Sequence, residues 1–323
     1  MTFIASVRAK DGVAIIADSL VTTVRPILEA KDFNNYLAKI AHQNGDEIKI
    51  NPRDIINLFK VKPSHTKNYE DKLYQYGKYA AITTAGSASI NGRIIKKLID
   101  KALKELKPDN KSDIKSISEK VNKLKDFIVK EVKEWLSKKP NIDTTIFILS
   151  NYSRSTGKTY IYKLSVVKAQ KKDLDNPDFE FVEVVSLPDN MSVICEGQNR
   201  LSERLLLGDF NTIFDILPSI VKRVAKDFKI PDDEITSDYL ESLLKDGDIV
   251  TKETFEDMKI FKLTNLSLQQ AVNLANLLMK MEIDFQNYTE NIPTVGGVIK
   301  LAVIDNDGFR FISGHEIVAH ETF

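Results

Sequence analysis

The chain has 323 residues, 42% hydrophobic and 28% charged, and its 46 basic side chains balance 46 acidic ones. That length gives one large domain or two ordinary ones, with a core that needs neither a disulfide nor a metal, and zero net charge excludes recruitment of nucleic acid or an anionic membrane by an overall field. The single cysteine, Cys195, excludes a disulfide framework and a cysteine-based zinc site, and His42, His65, His315 and His320 are scattered without ligand spacing, so no metal and no cofactor is expected.

Residues 2–18 read as a β-hairpin, because "FIASVRA" and "VAIIAD" are β-rich runs parted by Lys10-Asp11-Gly12. "DIINLFKV" (54–61) reads as a strand, and "YAAITTAGSA" (79–88) as another that ends in a turn of small residues. The mixed segments 25–52 and 62–78 beside them read as insertions, the kind of stretch used for lids and binding loops. Helical spacing begins at 89–106, with Ile94, Ile95, Leu98, Ala102 and Leu106 on one face, and Pro108 ends it. Ile114, Ile117, Val121, Leu124, Ile128, Val132 and Trp135 then mark one stripe of a long helix whose other face carries lysines. Ser112 and Asp113 are its candidate caps.

Strands return at 144–150, 159–167, 179–186 and 191–197. Helices return over 201–229 and 267–288, around a charged stretch, 231–262, with a short helix at 235–245. "GGVIKLAVI" and "FRFIS" flank Asn306-Asp307-Gly308 as a closing hairpin. Strands and helices are segregated in blocks rather than alternating. That predicts an α+β chain with antiparallel sheets covered by helix pairs, in a single domain over 1–323 with insertions near 25–52, 62–78 and 231–262.

Most motifs that could carry chemistry fail on spacing. "STGKT" (155–159) has Tyr152 where a phosphate loop needs glycine, and it lies between two strands, so it reads as a hairpin turn. Cys195 follows an apolar strand and reads as a small buried hydrophobe. The chain opens without a secretory leader, and no run approaches the roughly 18 apolar residues of a membrane helix, so the expected location is cytoplasmic.

Four stretches together carry a family resemblance. Thr2 and Asp18 stand sixteen residues apart in "T-x(8)-DGVAIIADS"; "ITTAGSAS" is a glycine turn before the first helix; "VICEGQNRLSERLLLG" is one before the third; and "PTVGGVIKLAVIDNDGF" is a Gly-Gly strand and hairpin after the fourth. In this order the chain resembles the proteasome β-subunit fold of the N-terminal-nucleophile (Ntn) hydrolases, the group that includes the HslV-type peptidase. The resemblance implies a four-layer αββα sandwich of two antiparallel sheets flanked by helix pairs. It also implies a threonine peptidase in which removal of Met1 exposes Thr2. An N-terminal threonine carries its own base, an α-amino group with a pKa of about 8.

By the same resemblance Thr2 is the nucleophile, Asp18 holds a lysine, and the Gly86 N–H serves the oxyanion. The family lysine precedes a strand of the form apolar-apolar-x-apolar. Matching Leu58, Phe59 and Val61 to that strand puts the lysine position on Asn57, with Lys60 as the alternative. The family's supporting serine falls near Gln198 or Asn199. Ile292, Pro293, Thr294 and Val295, before Gly296-Gly297, offer no carboxylate in the family's place. Two alternatives stay open: a catalytically degenerate assembly subunit of the same fold, and an Ntn acylase for a small amide. The implied partners are a peptide or protein substrate, copies of the same chain in a ring, helical assembly or dimer, and an AAA+ unfoldase. The stripe ending at Trp135 and the Leu201–Leu207 face are the candidate self-association surfaces.

Overall fold

In a computed structural model the described residues are 2–44, 50–67, 70–189, 191–207, 210–227, 263, 265–286, 288 and 293–313. The expected insertion at 231–262 and its short helix lie outside them, as do His315 and His320. β1 (Phe3–Ala9) and β2 (Gly12–Ala17) form the first hairpin across Lys10-Asp11, with Ala9 opposite Gly12. The chain then leaves on an excursion built of β3 (Val21–Ile27), α1 (Ala30–Asn44), α2 (Pro52–Leu58) and β4 (Lys60–Lys67). Among the described residues β3 and β4 pair only with each other, as a two-stranded antiparallel ribbon.

The strand expected at 54–61 is corrected by the structure: residues 54–58 are helical, and only Lys60 and Val61 lie in a strand, β4. Asn51 accepts the Arg53 N–H on its side chain at 3.0 Å, Pro52 takes the first helical turn, and Asp54 faces the positive end of the helix. Those three signals start a helix, and they outweigh the apolar run Ile55-Ile56 behind them.

β5 (Leu73–Gln75) and β6 (Ala80–Gly86) follow, then a small hairpin of β7 (Ser89–Ile90) and β8 (Arg93–Ile94). Asn91-Gly92, with φ of 52° and 67°, makes its two-residue turn. The helix expected from residue 89 therefore starts later, as α3 (Ile95–Leu106). α4 (Ile114–Lys138) begins where Asp113 accepts the Ser116 N–H. Then come β9 (Asn141–Ile142), β10 (Thr145–Ser153), β11 (Lys158–Val166), β12 (Ala169–Gln170), a 3-10 turn over Lys171–Asp175, β13 (Val182–Ser186) and β14 (Val193–Gly197). The "STGKT" segment is the β10–β11 turn. α5 (Arg200–Leu207), α6 (Phe210–Asp227) and α7 (Leu268–Gln286) lead to the closing hairpin of β15 (Lys300–Asp305) and β16 (Gly308–Ser313).

Two five-stranded antiparallel sheets result. One runs β14-β1-β2-β15-β16, the other β13-β11-β10-β6-β5. Period-two side-chain alternation sorts the core into three layers. Ile4, Val13, Ile15 and Ala17 of the first sheet meet Ala81, Ala85, Ile148 and Ile161 of the second between the sheets. Phe3, Ala5, Val7 and Ile16 face the other way, onto Ala271, Ala275, Leu278 and Met279 of α7 and Leu205 and Leu206 of α5. Ile82, Phe147, Leu149 and Leu164 pack on Leu98, Ala102, Leu124, Ile128 and Val132 of α3 and α4. The architecture is thus α+β, two stacked antiparallel sheets between helix layers. Most of the α4 stripe is buried against its own sheet, while Ile114 is exposed and Trp135, Leu205 and Leu206 are only partly buried. Among the described residues no helix is long and apolar enough to cross a membrane.

Among its described side chains, the excursion 21–67 supplies none to these three layers. Its ends are held together, since the Glu70 N–H bonds the Ser19 carbonyl at 3.1 Å. A chain lacking 24–64, with Thr23 joined to its ribbon partner His65 through Asn-Gly, therefore keeps the sandwich. Circular dichroism should show an unchanged cooperative melt. Loss of that melt would mean the excursion is part of the folding unit.

Candidate active site

Thr2 stands one residue before β1, the strand between β14 and β2, so the start of the chain is bound inside a sheet rather than fraying from it. The Gln198 N–H donates to the Thr2 carbonyl at 2.6 Å, and Phe3 lies opposite Gly197. Gly197 has φ of +96°, and a Cβ there would stand 1.9 Å from the Thr2 carbonyl oxygen. Only glycine lets β14 pass this close.

Asp18, directly after β2, is 1% exposed. Its carboxylate collects donors from three parts of the fold. Oδ1 accepts the Phe3 N–H at 3.1 Å and the Lys72 ammonium at 2.7 Å; Oδ2 accepts the N–H groups of Leu20 at 3.2 Å and Gly296 at 3.1 Å. Lys72, 7% exposed, also donates to the Leu20 carbonyl at 2.6 Å. A buried charge must be paired and hydrogen-bonded to persist, and both partners here are. Burial pushes the Asp18 carboxyl above its ordinary range, opposed by the Lys72 charge and by the N–H groups of Phe3 and Gly296. Burial likewise pushes Lys72 below its ordinary range, opposed by Asp18. Because the Phe3 amide and the Lys72 ammonium share one oxygen, the ammonium sits beside the peptide that follows Thr2.

The cation at Asp18 is thus neither of the residues expected. Asn57 is on the exposed face of α2, and Lys60, at the start of β4, pairs with Asp32 at 2.6 Å. Lys72 stands fifty-four residues beyond Asp18, because the excursion 21–67 separates the hairpin from β5. Its signal was present in the sequence: Leu73-Tyr74-Gln75-Tyr76 follows Lys72 in the same apolar-apolar-x-apolar form. The same form at 58–61 spans the end of α2 and the start of β4 instead.

Thr2 and Lys72 both line a cavity of about 550 Å³. Thr84, Gly86 and Ala88, Val21 and Thr22, and Lys96 of α3 also line it. Gly86 has φ of +103°, and a Cβ there would stand 2.6 Å from the Thr144 carbonyl. This glycine too is required by a close backbone approach, and it brings main chain rather than a side chain to the cavity wall. Asp71 binds Lys96 at 3.0 Å and also Lys300, which holds its carboxyl below the usual range against the cost of burial.

Gln198 meets Thr2 through its backbone, as above, while its side-chain oxygen accepts the Thr294 hydroxyl. Cys195 is buried opposite Ala5 on β1, and burial raises its thiol pKa, so it stays a protonated core side chain.

No family model matches this sequence, and no curated protein matches it either. Solved structures are similar to it. One is the Gly-1 mutant of Anbu from Hyphomicrobium sp. strain MC1, with a TM-score of 0.44 and 11% identity over 98% of this chain and 89% of that one. Another is Anbu, described as an ancestral beta-subunit, from Yersinia bercovieri, with a TM-score of 0.44 and 9% identity over 98% of this chain and 88% of that one.

Proposed function

We propose that this chain is a proteasome-like threonine hydrolase of the Ntn type, which cleaves peptide or amide bonds at Thr2 once Met1 is removed. The observation that carries the reading is the buried Lys72–Asp18 pair at 2.7 Å, joined through Asp18 to the backbone beside Thr2 and open through Lys72 to the cavity that Thr2 lines.

The chemistry follows from that arrangement. The Thr2 amino group takes the proton of its own hydroxyl, directly or through a water, and Oγ1 bonds to the substrate carbonyl carbon. The neighbouring ammonium favours the neutral amine, since a like charge disfavours a second cation, and it steadies the alkoxide as charge develops. The Gly86 N–H, on the cavity wall, donates to the oxyanion. The carbon–nitrogen bond breaks, the leaving amine takes the proton from the Thr2 ammonium, and an ester remains on Oγ1. The freed amine then draws a proton from water, whose oxygen attacks the ester and releases the acid.

Intact-mass measurement on natively expressed protein tests this. The mature chain should begin at Thr2, a threonine-directed epoxyketone or boronate should add one equivalent, and Thr2→Ala should reduce labelling to background. Full retention of Met1 would defeat the reading, because the amine must be free. We also infer self-association, because α7 leaves Leu277 and Phe285 exposed, Tyr288 beyond it is exposed, and α6 leaves Ile220 and Val224 exposed. A stable oligomer that never labels would carry the assembly-subunit reading instead.

A further inference from the structure

One loop holds Thr2, a second holds Asp18, and one side chain ties the second to the helix layer. The first loop is 197–198, whose Gln198 N–H holds the Thr2 carbonyl. The second is 294–296. Its Gly296 N–H reaches Asp18, and its Gly296 carbonyl accepts the N–H groups of Ser19 at 3.1 Å and Leu20 at 3.0 Å. Gln286, the last residue of α7, holds this second loop. Its Oε1 accepts the Thr294 N–H at 2.5 Å, the Val295 N–H at 3.1 Å and the Thr294 hydroxyl at 3.2 Å. Its Nε2 donates to the Glu282 carbonyl at 2.7 Å and to the Val295 carbonyl at 3.4 Å. The Thr294 hydroxyl completes the link by contacting the Gln198 side chain, and Thr294 is 5% exposed.

We propose that Gln286 is a positioning residue of the Thr2 site, which it serves through Thr294 and Gly296. The inference rests on the hydrolase reading for its kinetic consequence. Neither Gln286 nor Thr294 lines the cavity, so both act through other residues. Their combined effect is to fix how far the Gly296 N–H stands from Asp18 and how the 197–198 loop meets Thr2. The stretch before Gly296-Gly297 has no carboxylate where the family resemblance leads one to look for it. Thr294, anchored by a neutral amide from α7, occupies that ground instead. A neutral tie suits the place, because Asp18 already matches the Lys72 ammonium. A second carboxylate beside it would stand unpaired, at a high desolvation cost.

The test compares Gln286→Leu, Thr294→Val and Thr294→Ser with the parent chain, reading inactivation by the epoxyketone as separate rate and affinity constants. A misplaced nucleophile costs rate rather than affinity. Gln286→Leu and Thr294→Val should slow the inactivation step about tenfold to a hundredfold while the affinity constant stays unchanged. Thr294→Ser, which keeps the hydroxyl, should restore the parent rate. A role confined to stability would lower the folded fraction and leave the rate per folded molecule intact; that result, or no difference between Thr294→Ser and Thr294→Val, overturns the proposal. Amide hydrogen exchange supplies a readout that needs no activity. Protection at Phe3 and Gly296 should fall in Gln286→Leu while protection in β10 and β11 holds. A parent chain that never labels would defeat the hydrolase reading alone, and unchanged exchange at Phe3 and Gly296 would then defeat this one.

Discussion

Replacing Lys72 with methionine should reduce labelling of Thr2 by about 10²–10³-fold, the range found when a preorganised charge is taken from a developing oxyanion. The same change leaves Asp18 buried with three backbone donors and no counter-charge. Breaking a buried pair from one side costs about 3–5 kcal/mol, and guanidinium unfolding should show a loss of that order. The double variant Asp18→Asn/Lys72→Met removes both charges. It should recover most of the stability and none of the labelling, which separates the two roles. Asn57→Ala and Lys60→Ala are the controls. Both residues are exposed, and surface changes stay within about 0.5 kcal/mol. Normal labelling in Lys72→Met, or its loss in Lys60→Ala, would mean the cation has been misassigned.

Gly197→Ala is the second large effect. Its Cβ would stand 1.9 Å from the Thr2 carbonyl oxygen at a φ of +96°, so strain and overlap add. A strained backbone position alone costs about 1–3 kcal/mol. The overlap must also push Thr2 away from Gln198 and Asp18. A shift of about 1 Å is worth roughly a hundredfold in rate, so labelling should fall at least that far, with reduced stability. Gly157→Ala isolates the steric part. That glycine also has positive φ, +67°, but nothing lies within 4 Å of its Cβ. It should cost only the conformational share, about 1–2 kcal/mol, with labelling unchanged. Equal effects of the two substitutions on labelling would show that the contact with Thr2 is irrelevant.

Much of the fold was legible because it is local. The Asp-Gly turns, the Asp113 cap and the apolar stripe of α4 are each decided within a few residues, and each forms as read. Where the reading slipped, a second local signal competed. Asn51 and Pro52 turned an apolar run into α2, and Asn91-Gly92 cut a hairpin out of the front of α3.

The candidate site divides in the same way. The family resemblance singles out Thr2, Asp18 and Gly86 in the sequence, and the structure joins Thr2 to Asp18 through the Phe3 amide and sets Thr2 and Gly86 on one cavity. Lys72 is different. Which lysine meets Asp18 depends on where a chain that leaves at Val21 re-enters the sheet, and a charge pair has no sequence period to announce it. The Gln286 tie is more distant still. It joins the end of a helix to a loop after it through amide hydrogen bonds that any glutamine could make. Local propensity and periodicity wrote the strands, turns and helix faces into the sequence. The choice of partners across the sandwich was left to three-dimensional packing, because burying a charge requires a partner within about 3 Å and the chain between the two sets no limit on which it is.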